Sequence, residues 1–99
     1  MSEQEIPAEL QEIRKQIDDI DDRLLRLLAE RFQLTHTVGV IKAKQNLNSF
    51  DSSREAEKIT RLRERCDSLE IDPNLVEELF TRIMQEVVKN HDRLRQARN

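Results

Sequence analysis

Glycine is almost missing from this chain. Its 99 residues hold one glycine, two prolines, one cysteine, three phenylalanines, and no tryptophan or tyrosine. A single glycine excludes a glycine-rich loop that cradles phosphates. So few chain breakers, with almost no β-branched runs, exclude strand-rich sandwiches and leave a mostly helical protein. The lone Cys66 excludes an internal disulfide and fits a reducing compartment. An excess of charge of one sign is missing too, with 17 basic against 20 acidic side chains and a net charge of −3. That mixture argues against a nucleic-acid groove and against an anionic membrane surface as partner. No apolar run reaches membrane-spanning length, and the opening MSEQEIPAEL lacks a signal-peptide core, so a soluble, cytoplasmic protein is expected.

What the sequence does have is a stripe. Leu10, Ile13, Ile17, Ile20, Leu24, Leu27, Arg31, Leu34, Val38 and Ile41 are spaced by threes and fours without a slip. That is the pattern of a long helix meeting a partner helix. Nine of these ten are branched aliphatics and the tenth is arginine. A guanidinium there cannot lose its proton, so it needs an anion or a route to water. Lys42 follows eleven residues later, about 20° further round a helix, and projects from nearly the same face. Two cations on one apolar face suit an anion site. The plainer alternative is that Arg31 reaches out to water or pairs with a carboxylate of another helix.

Ninety-nine residues make one domain, 1–99, with residues 1–7 expected to fray. A first helix is expected over about 8–44, roughly 55 Å at 1.5 Å per residue. Fifty-odd remaining residues are too few to cover it, so a dimer of long helices is expected. Residues 45–51 (QNLNSFD) read as a loop. A second helix is expected over 52–68, with Ser52 and Glu55 spaced as a capping box and Ala56, Ile59, Leu62 and Cys66 as its apolar edge. Arg61, Arg63, Glu64 and Arg65 read as its solvated surface. Asp72-Pro73 opens a third helix, 73–95, with Val76, Phe80, Ile83, Val87, His91 and Leu94 on one stripe. A histidine on such a face is most simply a hydrogen-bonded core residue.

The chemistry on offer is narrow. His36 and His91 are far apart and neither is framed by cysteines or carboxylates, so no metal site is spelled out. No nucleophile has a base specified beside it. What remains are cations: Arg14, Arg31, Lys42 and Arg54. They suit a small dianion and a reaction catalysed by positioning and fixed charge.

The run Ile13-Arg14-x-x-Ile17-Asp18-x-Ile20-Asp21-x-x-Leu24-Leu25-x-Leu27-Leu28-x-x-Arg31 resembles the first helix of the all-α chorismate mutases. The likeness continues through Val38-Gly39-x-x-Lys42, Asp51-x-x-Arg54-Glu55-Ala56-Glu57 and Asp72-Pro73, and covers roughly residues 8 to 91. It implies an all-α fold of three helices in an intertwined homodimer, with each of two sites completed by the partner chain. The implied reaction is the pericyclic rearrangement of chorismate to prephenate, in phenylalanine and tyrosine biosynthesis, without cofactor or covalent intermediate. Position by position, Arg31 and Arg54 would bind carboxylates, and Arg14 would reach in from the partner. The geometry agrees, since Arg14 lies about 100° from the Arg31 face of one helix. Lys42 would sit at the ether oxygen and one carboxylate. Glu55 would take the ring hydroxyl near the Asp51 backbone, unless it serves the capping box, and Val38 would line an apolar wall. Many family members carry Ser and Gln where Val87 and His91 stand. Val87 cannot hydrogen-bond, whereas His91 can replace the glutamine as a donor.

A single-function chorismate mutase is therefore expected, since 99 residues leave no room for a fused dehydratase or dehydrogenase. A lyase of the same fold, removing pyruvate from isochorismate, or an amino-deoxychorismate mutase are alternatives. A non-catalytic helical interaction module is a third, against which the retained buried-face charges speak. The resemblance also raises another shikimate-pathway enzyme as an activating partner.

Overall fold

The computed structural model describes residues 6–98 and contains three helices, α1 (Ala8–Lys44), α2 (Ser52–Leu69) and α3 (Pro73–Arg98). Among the described residues there is no strand, and the fold class is all-α as expected. α3 runs three residues past the expected end, because Gln96, Ala97 and Arg98 favour helix and no glycine or proline stops them. Most of the segment expected to fray lies outside the described residues. Its last two residues are tied: the Gln11 N–H donates to the Pro7 carbonyl (3.1 Å) and the Gln11 side chain to that of Ile6 (3.2 Å). No described helix is long and apolar enough to cross a membrane.

The chain divides into two compact units, one up to Gln33 and one from Leu34 onward. The first is a stretch of α1 and little else. Of its helical residues only Leu28, Arg31 and Phe32 are half-buried, the others being exposed. Over the whole of α1 the aliphatics of the stripe are between 39% and 64% exposed, and Gly39 alone is buried.

In the second unit α2 packs against α3 as a helical hairpin across residues 70–72. Asp72 caps α3 as its Asp-Pro sequence predicts, accepting from the Asn74 N–H (2.9 Å) with proline in the first helical position. Arg63, read from the sequence as solvated surface, instead crosses to α3 and donates to Asn74 (3.2 Å) and Glu77 (3.1 Å). It lies at the N-terminal end of α3, where the chain turns back beside α2, a pairing that helical periodicity along α2 alone does not reveal. The buried side chains are Cys66, Val76, Met84 and His91.

Both helix ends that feed a turn close in the same way. At α2, Glu70 sits at φ 55°, its N–H donates to Asp67 O (3.2 Å), and the Ile71 N–H donates to Cys66 O (3.1 Å). At α1, Asn46 sits at φ 55°, its N–H donates to Ala43 O (3.3 Å), and the Leu47 N–H donates to Lys42 O (2.8 Å). These are paired-bond caps built on a left-handed residue, a place usually taken by glycine. A glutamate there carries a Cβ penalty of roughly 1 kcal/mol. Glu70→Gly should therefore stabilise the protein by about 0.5–1 kcal/mol, read as a higher urea midpoint with unchanged slope. A lower midpoint would show that the glutamate side chain holds the turn.

The end of α1 lies along the end of α3. The Asn90 amide meets His36 Nδ1 (3.0 Å), His91 Nε2 meets Thr35 O (2.8 Å), and Leu94 lies over Gly39. A β-carbon added to Gly39 would come 2.5 Å from His91 Cδ2 and 2.8 Å from Leu94 Cδ1. The single glycine is thus a notch in α1 that admits the His91 ring. This explains why a residue about 1 kcal/mol worse than alanine in a helix interior stands there.

Candidate functional site

The start of α2 is capped by Asp51, not by the expected Ser52. Asp51 is extended (φ −122°, ψ 95°), and its Oδ1 accepts from the Arg54 N–H and the Ser53 hydroxyl, each at 3.1 Å. The physical reason is register. With Asp51 as the cap, Ser52 is the first helical residue and Glu55 the fourth, too far along to close a capping box. Glu55 is therefore not spent on the cap. Its backbone N–H makes the ordinary helical bond to Asp51 O (3.1 Å), and its side chain remains for other work.

The Asp51 carboxyl is held below the usual carboxylate range, chiefly by the Arg54 N–H and then by the Ser53 hydroxyl. The charges of Lys42 and Arg54 lower it further. Lys42, in the last turn of α1, and Arg54, in the first turn of α2, are therefore both within electrostatic reach of the Asp51 carboxylate. Lys42 is half-buried and Arg54 exposed. The seven-residue loop 45–51 carries the chain from one helix to the other.

Glu55 lines an open groove of about 510 Å³ with Phe50 from the loop and Thr81, Met84, Gln85, Val88 and Lys89 from α3. Its lining is largely apolar, with one carboxylate and one ammonium side chain among it. Of the residues singled out from the sequence, Glu55 alone lines this groove. Val87 is half-buried on α3, and Val38 is 44% exposed on α1.

His91 is 3% exposed. A carbonyl only accepts, so at Thr35 O it is Nε2 that carries the proton. Nδ1 is buried without a hydrogen-bond partner. Any contact of His91 with a bound molecule must therefore use Nδ1. Arg14 and Arg31 belong to the N-terminal unit, Arg14 exposed and Arg31 half-buried with one terminal nitrogen shielded from solvent. Among the described residues no three of His, Cys, Asp and Glu converge on a metal position.

Sequence reasoning noted Gly39 only within the family motif, and gave no role to Asn46, Arg95 or the groove residues Phe50, Met84 and Val88. For Gly39 the signal was present, because an isolated glycine inside a helical pattern usually has a packing reason. For the others there was none.

Three helices and, among the described residues, no strand define an all-α protein, with Lys42 and Arg54 both acting on the Asp51 carboxylate at the α1–α2 turn. Residues 13–92 match the family model described as chorismate mutase type II, and the chain belongs to that family. It is 38% identical over 71 residues to a chorismate mutase of Methanocaldococcus jannaschii, covering 72% of each chain. It is also 38% identical over 79 residues to a T-protein of Enterobacter agglomerans, and 51% identical over 57 residues to a bifunctional chorismate mutase/prephenate dehydratase of Aquifex aeolicus. These alignments take in 80% and 54% of this chain, respectively, but only 21% and 16% of those longer relatives.

Proposed function

We propose that this protein rearranges chorismate to prephenate, holding the substrate by its two carboxylates and stabilising the charge that gathers on the breaking ether oxygen. The observation that carries this reading is the family match across residues 13–92, supported by the action of both Lys42 and Arg54 on the Asp51 carboxylate at the α1–α2 turn. The substrate is a dianion and the reaction a unimolecular shift. A catalyst therefore has to orient it and place a cation where negative charge develops. In this assignment Arg31 and Arg54 take the carboxylates and Lys42 serves the ether oxygen and one carboxylate. Glu55 accepts from the ring hydroxyl beside the Asp51 backbone, and Val38 supplies apolar wall. Val87 offers no hydrogen bond where a serine would give one. His91 addresses the ether region as a donor only with a proton on Nδ1 as well as on Nε2, since a neutral ring that donates to Thr35 O has an acceptor at Nδ1, and no step requires a metal or an organic cofactor.

The working form is a homodimer, with Arg14 supplied by the second copy. Its support is the self-complementary stripe on α1, nine aliphatics between 39% and 64% exposed at heptad-like spacing. An apolar face of that length is unusual on a monomer. Sedimentation equilibrium should give twice the chain mass at micromolar concentration.

The deciding assay is loss of chorismate absorbance with purified protein, product identity being checked by chromatography and isochorismate run in parallel. Prephenate from chorismate is the expected result. Pyruvate from isochorismate alone would move the assignment to a lyase, and turnover of neither would overturn the catalytic reading for the chain by itself.

A further inference from the structure

We infer that Arg95, near the C-terminus of α3, is a positioning residue that holds the α1–α2 loop and so sets the spacing of Lys42 from Arg54. The inference rests on the chorismate mutase reading of the site and adds to it a residue that no motif of the chain marks.

Arg95 is half-buried, one helical turn beyond His91 on α3. Its Nη2 donates to Asn46 Oδ1 (3.3 Å) and its Nη1 to Asn48 Oδ1 (3.4 Å). Both acceptors lie in the loop, and Asn46 is its left-handed residue. Through the cap built on Asn46, the N–H of the next residue, Leu47, is bonded to the carbonyl of Lys42 itself. Three residues past Asn48 the loop delivers Asp51, whose carboxylate seats the Arg54 N–H. The chain of contacts thus runs from one guanidinium through two asparagines to the backbone on either side of the cationic junction.

The residue type fits the task. Asparagine tolerates the left-handed conformation better than most residues, and its carbonyl oxygen gives Arg95 something to hold, which glycine in the same place would lack. A guanidinium presents two nitrogens in a fixed fork, so one side chain can fix two loop residues at once, where a lysine offers a single point charge. His91 and Leu94, seated on Thr35 and Gly39, anchor the helix that carries Arg95. The loop is therefore held to a rigid neighbour at its first turn, rather than by its own few backbone bonds.

The test uses four variants of the full chain: Arg95→Met, which keeps the apolar stem, Asn46→Gly, which keeps the left-handed turn but removes the acceptor, their combination, and Arg95→Lys. Each is measured for kcat and KM on chorismate, for amide hydrogen exchange over residues 45–54, and for urea midpoint. Arg95→Met should lower kcat/KM about three- to tenfold, and the loop amides should exchange several-fold faster. Asn46→Gly should do nearly the same, and the double variant little more than either single, because all three remove one connection. Arg95→Lys should not restore the wild-type values. Unchanged kcat/KM together with unchanged loop exchange in Arg95→Met would overturn the inference, as would fully multiplicative effects in the double variant. A fall in kcat/KM that tracks the urea midpoint without faster loop exchange would also overturn it, reducing Arg95 to a stabilising contact. Wild-type protein without chorismate turnover would instead overturn the functional reading. The exchange measurement would then still decide whether Arg95 holds the loop.

Discussion

Lys42→Ala will lower kcat on chorismate by about 10²–10³-fold, the size of loss seen when one donor to a developing oxyanion is removed. The fold should survive. Lys42 lies in the last turn of α1, where a cation at a half-buried site favours the helix dipole by no more than about 2 kcal/mol. The cap at that helix end uses the backbone carbonyl of Lys42, which alanine keeps. The far-ultraviolet circular dichroism and the sedimentation mass should therefore match wild type while turnover disappears. Lys42→Arg should recover part of the rate, since the charge remains but its position shifts. Turnover within a few-fold of wild type in Lys42→Ala would remove Lys42 from the mechanism and leave Arg54 and Arg31 as the cations to examine.

The largest effect on stability is expected at Gly39. A methyl group there must displace the His91 ring, whose Nε2 is hydrogen-bonded to Thr35 O at 2.8 Å, as well as the end of Leu94. Overpacking of a seated side chain costs about 1–3 kcal/mol. Alanine recovers about 1 kcal/mol of helix propensity over glycine. The net for Gly39→Ala is a loss of up to about 2 kcal/mol, visible as a lower urea midpoint. His91→Ala should also destabilise, losing a hydrogen bond worth about 1 kcal/mol and leaving a space where the ring was. The two changes offset each other in shape, because the new methyl enters the vacated space. The double variant should be less destabilised than the sum of the singles by about 1 kcal/mol or more. Additive losses, or a Gly39→Ala stabilised by the full ~1 kcal/mol of helix propensity, would mean that ring and notch do not meet in solution. Turnover of His91→Ala, read at a temperature where the protein is folded, separates its two roles. A sharp fall supports contact of Nδ1 with the substrate, and near-normal turnover leaves His91 as a core residue alone.

Particular residues show how far the sequence could be read. Helix α1 was legible from Ala8 to Lys44 because its hydrophobic spacing is regular and it holds no proline. The Asp72-Pro73 pair announced α3 for a local reason, one cap and one ring with a fixed φ. The start of α2 was legible only to the residue. Asp51, Ser52 and Ser53 are all able caps, and the choice among them depends on where the loop, held by Arg95, leaves the chain. The cations Arg14, Arg31, Lys42 and Arg54 could be selected from the pattern. The action of both Lys42 and Arg54 on the Asp51 carboxylate could not, since it requires the path of seven loop residues.

The sequence by itself determined three helices, their approximate limits, the family, and an apolar stripe too long for one small chain to cover. All of these follow from local periodicity and from motifs read along the chain. Only the tertiary structure decided that Asp51 caps α2, that Glu55 is free of the cap, that Gly39 is a notch for His91, and that Arg95 reaches Asn46 and Asn48. Each depends on backbone position in a turn or on side chains 47 to 56 residues apart. A helical repeat says which face a residue takes, but not what stands opposite it.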